Sequence, residues 1–176
     1  MTATAAVQER RAQQHLPVEP GRLDPCSEEV RVTIVRLVAP ELPARVAAAL
    51  DDPDTGLRGA HREACLQPLI EAVITAVVKA GETGRVPRPP ELAIFAVIGE
   101  LAALRGIDDV DVVEVLDASA EAVRDDIVLR AHQLDDRFST GAIDKATASL
   151  CGAVECISRL AYEALWSAAS RVGSVS

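Results

Sequence analysis

His61 and Cys65 have the spacing that comes closest to a metal site in this sequence. Residues four apart lie on the same face of a helix, so both side chains could reach one ion. A structural zinc site needs four ligands, however, and no pair with Cys-x-x-Cys spacing is present. Cys151 and Cys156 are five residues apart, or about 140° around a helix, which disfavours a disulfide between them. We therefore expect no bound metal, but an ordinary helix surface at His61 and a buried thiol at Cys65.

The acidic segment Asp108-Asp109-Val110-Asp111 is a second candidate for chemistry. Aspartate clusters can hold Mg²⁺ for diphosphate chemistry, but such enzymes need a large aromatic-lined cavity, and only 2% of this chain is aromatic. Acidic residues are also favoured at the start of a helix by its dipole, and we expect that role here. The chain has no Gly-rich phosphate-binding loop and no Gly-x-Ser-x-Gly motif, and its three histidines are scattered. The sequence thus predicts no catalytic residues, no cofactor and a protein that is not an enzyme.

His132 is the remaining candidate ligand, because a lone histidine on a helix can be an axial haem ligand, as in globins. A half-buried or surface histidine is the more common situation, and the shortage of aromatic residues leaves little to enclose a porphyrin. We expect the common situation, and keep a haem or metal protein as an alternative.

Charge and hydropathy exclude two classes of partner. The net charge of −9 and the pI near 4.8 have the wrong sign for a phosphate backbone, so we expect no direct contact with nucleic acid. No apolar run reaches the roughly 18 residues of a membrane span, and the first residues lack the apolar segment of a secretory signal. Four cysteines in such a chain predict reduced thiols and a cytoplasmic location.

The pattern along the chain divides it into an N-terminal arm, residues 1–26, and a helical domain, residues 27–176. The arm contains three prolines and no sustained periodicity, so we expect it to be mobile and dispensable. From Ser27 onward apolar residues recur at helical spacing, and no segment alternates as a strand does. The last two predicted helices each carry one apolar stripe: Leu116, Ala120, Val123, Ile127, Ala131, Leu134 and Phe138 on the first, and Ile143, Ala146, Leu150, Val154, Ile157, Leu160, Ala164 and Ala168 on the second. The predicted helices cover about 27–38, a short segment ending at Leu50, 55–80, 90–104, 113–138 and 142–172. The sequence therefore predicts an all-α, single-domain bundle of five or six helices.

Acidic residues are concentrated in one part of the chain. Residues 108–144 contain eleven acids and three bases, which gives this segment −8 of the chain's −9. Four of the acids step by three, four and four residues and so form one strip along a helix: Glu114, Asp117, Glu121 and Asp125. Like charges at this spacing cost a few tenths of a kcal/mol per pair. Solubility and a docking face for a basic protein partner both explain the strip.

Tyr162 and Trp166 are four residues apart and lie off the apolar stripe of the last predicted helix. The small residues Ala169 and Gly173 continue the same face and would let another helix approach. This pattern predicts a dimer face formed by Tyr162, Trp166 and Ala169. A core position for both rings is the alternative.

Residues 92–106, Leu92-Ala-Ile-Phe-Ala-Val-Ile-Gly99-Glu-Leu-Ala-Ala-Leu-Arg-Gly106, and the apolar helix after Ile107 carry a family resemblance. They resemble the N-terminal sensory domain shared by stressosome RsbR-type co-antagonists and PucR-type transcription regulators. In that family a helix ends in a glycine, and a second glycine, beyond six residues, starts a long helix across the bundle. The resemblance implies a globin-like helical bundle that dimerises and binds no haem. No output domain follows in this sequence, so a stand-alone copy is expected.

These observations lead to three functional hypotheses. The first is a non-enzymatic regulatory or sensory module of a cytoplasmic bacterial type, homodimeric, which acts through protein contacts. The second is a sensor that binds an apolar small molecule within the bundle, and the third is the haem or metal protein.

Overall fold

A computed structural model describes residue 23 and residues 27–38, 40–50, 61–134 and 137–173. This part of the chain contains six α-helices and one 3₁₀ turn, and no strand runs through it. The all-α bundle predicted from the sequence is confirmed. The elements are α1 (Glu28–Leu37), α2 (Leu42–Leu50), α3 (His61–Thr83), a 3₁₀ turn (Pro89–Leu92), α4 (Ala93–Leu104), α5 (Asp109–His132) and α6 (Thr140–Gly173).

The first two helices begin and end close to the predicted positions. Ser27 is the N-cap of α1, and Glu28 and Glu29 occupy its first turn, where the helix dipole favours negative charge. Pro43 is the second residue of α2, a position at which its missing N–H costs no intrahelical bond.

Helix α3 is the central element of the core, as its apolar sequence predicts. Its buried residues follow helical spacing and are Leu69, Ile70, Val73, Ala76, Val77 and Ala80. The predicted end at Ala80 is wrong, since the helix continues to Thr83. Gly81 lets α1 pack closely against this last part of α3, because a Cβ there would lie within 3.1 Å of three Val35 side-chain atoms on α1. The predicted start at Thr55 lies outside the described residues.

Arg31 connects α1 to the C-terminal end of α3 through a side-chain hydrogen bond. Its side chain is only 2% exposed, and its Nε donates a 2.8 Å hydrogen bond to the carbonyl of Gly81. Beside it, the amide of Leu23 donates to the carbonyl of Gly84 at 2.8 Å, and Leu23 is half-buried against the core. Leu23 therefore does not belong to a mobile arm, while the other residues of the predicted arm 1–26 lie outside the described part.

Two corrections concern the segment before and within α4. Pro89–Leu92 form a 3₁₀ turn rather than the opening of the helix, and a double hydrogen bond from Arg85 to Glu91 closes the turn, at 2.6 and 2.8 Å. The helix end at Gly99 that the family resemblance implies is also wrong. Helix α4 runs through Gly99 to Leu104, and Gly106 forms the turn to α5 with a φ of +67°.

Helix α5 starts earlier and ends earlier than predicted. It begins at Asp109 because the carboxylate of Asp108 accepts a hydrogen bond from the amide of Val110 and caps the helix. This confirms the helix-start role expected for the acidic segment. The helix ends at His132 rather than at Phe138. Leu134 and Phe138 still pack against the core from non-helical backbone, which is why the apolar periodicity continues past the helix end.

Helices α5 and α6 pack antiparallel. Arg124 forms an ion pair with Glu155 at 3.8 Å, and Val113 lines the same crevice as Trp166, so residue numbers fall along one helix as they rise along the other. The predicted stripe of α6 is correct from Ala146 to Ile157. Beyond it the predicted Ala168 is also buried, but Ala161 and Leu165 are buried in place of the predicted Leu160 and Ala164, which are half-buried, because α4 packs there.

Candidate interaction site

Tyr162 and Trp166 form an exposed aromatic pair on α6. Their ring planes are 14° apart with centroids at 6.3 Å, and the two residues are 42% and 52% exposed. Large aromatic side chains usually bury most of their surface, so this pair leaves a substantial apolar area in contact with solvent. The alternative of a core position for both rings is wrong.

A narrow crevice runs beneath the two rings. Its other lining residues come from three helices and are Gly99, Ala102, Val112, Val113, Leu165 and Ala169. Its volume is about 20 Å³, whereas ligand pockets for drug-sized molecules measure roughly 300–1,000 Å³. The crevice therefore has no room for an apolar ligand, and the rings present an outer surface instead. Ala169, predicted to lie in the dimer face, forms part of its wall.

The four acids predicted to form a strip lie on the outer side of α5. Asp117, Glu121 and Asp125 are exposed, and Glu114 is half-buried. The neighbouring Asp126 faces the opposite way, with a fully buried carboxylate that bonds Arg130 at 3.3 Å and pairs with Arg45 at 3.5 Å. Asp126 thus joins α2 to α5 and does not contribute to the acidic surface.

The antiparallel register places the acidic strip beside the aromatic pair. Val113 lies at the crevice under the rings, and Asp117 follows it by one turn on the same side of α5. The register set by Val113 with Trp166 and by Arg124 with Glu155 puts Asp117 level with Tyr162. We call this surface the acid–aromatic face; it consists of Glu114, Asp117, Glu121, Asp125, Tyr162 and Trp166.

An apolar stripe that was not predicted from the sequence lies on the outer side of α4. Ile94, Val97, Leu101 and Leu104 are between 41% and 70% exposed, although the opposite side of the helix is buried. The signal was present in the sequence as a 3-4-3 spacing of large aliphatic residues, interleaved with the set that faces the core. An almost entirely apolar helix gives no polar positions from which to identify its exposed side.

The candidate ligands with described side chains, His132, Cys151 and Cys156, do not belong to a group that could hold a metal ion. His132 is exposed, and its Nδ1 lies 2.7 Å from the carbonyl of Val128. Cys151 and Cys156 are free thiols, as expected, and burial raises the pKa of Cys151. The side chains of His61 and Cys65 lie outside the described part, within which no group of three or more His, Cys, Asp or Glu residues could hold a metal ion.

Two wider surface grooves are large enough for a small molecule. One, of about 370 Å³, lies between α3 and α4, with Leu92, Ile94 and Phe95 on one side and Ala72 and Ala76 on the other. The second, of about 530 Å³, lies where α5 ends and α6 begins, beside His132 and Phe138.

Comparison with known proteins gives no match for this chain among family models, curated proteins or solved structures. Among the described helices, none combines the length and the apolar character needed to cross a membrane.

Proposed function

We propose that this protein is a non-enzymatic regulatory module that acts through protein contacts and docks a basic partner protein on its acid–aromatic face. The module is homodimeric and cytoplasmic, of the bacterial regulatory type that the sequence resemblance implies. The observation that carries the proposal is the half-exposed, stacked Tyr162–Trp166 pair next to the end of the acidic strip, where Asp117 lies level with Tyr162.

The chemistry of this face favours a basic partner over a second copy of the chain. Tyr and Trp are the residues most often found to dominate the binding energy of protein interfaces, and an arginine or lysine can also stack on their rings. The acids beside them attract positive charge and speed the encounter. Two copies that met through this face would bring their acidic strips together, which is repulsive. We therefore assign Tyr162 and Trp166 to partner docking rather than to the dimer face.

The first test uses partner capture followed by a salt series. A photo-cross-linking amino acid at position 166 captures the partner in native extract, and binding of the purified partner is then measured at low and high salt. The variant Glu114→Gln/Asp117→Asn/Glu121→Gln should bind about tenfold more weakly at low salt, from two exposed charges and one half-buried charge worth roughly 0.2–1 kcal/mol each. Its affinity should also depend less on salt than that of the wild type.

The matched control removes three exposed acids elsewhere, Glu28→Gln/Glu41→Gln/Glu82→Gln, with the same change in net charge. If both triple variants lose affinity equally, general attraction by an acidic protein explains the result and the docking face is wrong. The variant Tyr162→Ser/Trp166→Ser should lose more than tenfold affinity at every salt concentration, because contact of the rings is only weakly screened.

The groove between α3 and α4 supports a second candidate function, a sensor of an apolar small molecule. Its volume of about 370 Å³ lies at the lower end of the range of ligand pockets. To test this candidate, native mass spectrometry of protein purified from its own cell extract should show a bound small molecule as added mass. The added mass should be absent from Ala76→Trp, which places a large side chain in the groove. A visible absorbance spectrum of the same sample tests for haem.

A further inference from the structure

Helix α4 exposes four large aliphatic side chains in a single line. Ile94 and Val97 are each 49% exposed, Leu101 is 41% exposed and Leu104 is 70% exposed. At 100° per residue the four lie within a band of about 80° on the helix surface, centred opposite Gly99. Gly99 itself packs against the backbone of Leu165, so the band faces away from the bundle. The largest contiguous apolar patch on a protein surface is often functional.

The spacing of the stripe is that of a coiled-coil seam. Steps of three, four and three residues correspond to successive a and d positions, which pair with the same positions of another helix. The set is also symmetric about residue 99. An antiparallel second α4 would therefore place Ile94 opposite Leu104 of the other copy, and Val97 opposite Leu101. Such a contact uses the same patch on both copies, as a two-fold dimer requires.

The distribution of charge favours α4 as the contact surface between two copies of this acidic chain. Glu100 is the one charged residue of α4, and it already bonds Arg171 of its own chain at 3.1 Å. Most of the net charge lies instead in residues 108–144, on and around α5. Two copies that meet through α4 keep their acidic strips apart, whereas contact through the acid–aromatic face brings them together.

We propose that α4 is the dimer interface of this protein, with a second copy of the same chain packed antiparallel along Ile94, Val97, Leu101 and Leu104. The inference rests on the homodimeric state proposed above and names its surface. In this arrangement Leu104 of the second copy lies opposite Ile94. Because Ile94 lines the groove between α3 and α4, the Leu104 side chain can enter that groove.

The size of the stripe sets the expected strength of the dimer. Its length from residue 94 to residue 104 is about 15 Å. Its exposed apolar area is roughly 300–400 Å² per copy, similar to the largest patch on many monomers. Two such patches bury less than the roughly 1,200 Å² of a standard interface, which corresponds to a weak, reversible dimer. We expect a dissociation constant in the micromolar range.

The test measures oligomeric state by sedimentation velocity from about 1 to 200 µM, which spans a micromolar dissociation constant. Wild type should pass from monomer to dimer across this range. Val97→Glu/Leu101→Glu should remain monomeric with an unchanged helical circular dichroism spectrum. The matched control Val128→Glu/Leu129→Glu changes two exposed aliphatic residues on α5 by the same charge and should still dimerise, as should Tyr162→Ser/Trp166→Ser.

A second experiment tests the antiparallel pairing through restored association in a mixture of two variants. Val97→Glu and Leu101→Lys should each dimerise at least tenfold more weakly than wild type, whereas an equimolar mixture should form a heterodimer. The antiparallel arrangement places the new carboxylate opposite the new ammonium group. A mixture that associates no better than its components overturns the inference, as does a dimer that persists in Val97→Glu/Leu101→Glu.

The outcomes separate the inference from the proposal on which it rests. Wild type that stays monomeric at 200 µM overturns both the homodimeric state and its assignment to α4. A dimer lost in Tyr162→Ser/Trp166→Ser but kept in Val97→Glu/Leu101→Glu leaves the homodimer standing and refutes α4 as its interface.

Discussion

Gly99 is the position at which one added methyl group has the clearest consequence. A Cβ at residue 99 would lie 2.7 Å from the carbonyl oxygen of Leu165 and 3.0 Å from its Cα. Both atoms belong to the backbone of α6, so no side-chain rotation can relieve the contact. Favourable separations between non-bonded heavy atoms are about 3.5–4.0 Å, and helices α4 and α6 must therefore move apart by several tenths of an ångström in Gly99→Ala.

The expected change in the free energy of unfolding combines two opposing contributions. Overpacking of a core typically costs about 1–3 kcal/mol, and the loosened contacts here include the fully buried ring of Phe95. Replacement of a glycine within a helix by alanine returns about 0.5–1 kcal/mol. Gly99→Ala should therefore lower the free energy of unfolding by about 1 kcal/mol, and by no more than about 2.5 kcal/mol. For a chain of this size a loss of about 1 kcal/mol corresponds to a fall in Tm of roughly 2–4 °C.

Gly152 provides a matched control, because it too lies inside a helix, α6, and a Cβ there would meet no atom within 4 Å. Gly152→Ala should gain only the higher helix propensity of alanine, with no added clash, and raise Tm by about 1–4 °C. Thermal and urea unfolding, followed by circular dichroism at one protein concentration, measure both variants against wild type. If Gly99→Ala is as stable as Gly152→Ala, then α4 and α6 do not approach as closely as described and the reasoning is wrong.

Two further predictions concern side-chain interactions near the C-terminal end of α3. Arg31→Met should lower the free energy of unfolding by about 2–4 kcal/mol, measured by urea unfolding, because it leaves the buried carbonyl of Gly81 without the guanidinium bond. Hydrogen bonds from Arg85 hold the pKa of Glu91 well below its usual range, so the pair stabilises the fold above the ordinary glutamate pKa of about 4.3. This contribution is lost as pH falls through the lowered pKa, and the Tm difference between wild type and Glu91→Gln should shrink below about pH 4. A Tm difference that grows on acidification would contradict this assignment.

Periodicity predicted the bundle well wherever a helix has one buried side and one polar side. On α5 the predicted stripe of Leu116, Ala120, Val123, Ile127 and Ala131 is buried throughout. The boundaries were less accurate because residues beyond a helix can still pack into the core. Phe138 continues the apolar spacing although α5 has already ended, so the pattern alone could not distinguish it from a helical residue.

Polar groups inside the core were not predictable from the sequence. Arg31 and Asp126 lie in segments with several other charged residues, and their types alone give no sign of burial. Their burial depends on partners that are distant in sequence, Gly81 for Arg31 and Arg45 for Asp126. The same limit applies to the interaction surfaces. The acidic strip follows from spacing within α5, but its position beside Tyr162 depends on the register between α5 and α6.

The two proposed surfaces are compatible because they involve opposite sides of α4. Gly99 and Ala102 form one wall of the crevice beneath Tyr162 and Trp166, whereas the exposed stripe of α4 is centred on the side of the helix opposite Gly99. A dimer joined through α4 therefore leaves both acid–aromatic faces uncovered. A basic partner with two matching sites could bind both faces, and its second contact would form at the high effective concentration set by the first. Weak dimerisation would then control avidity, because a monomer offers the same face only once.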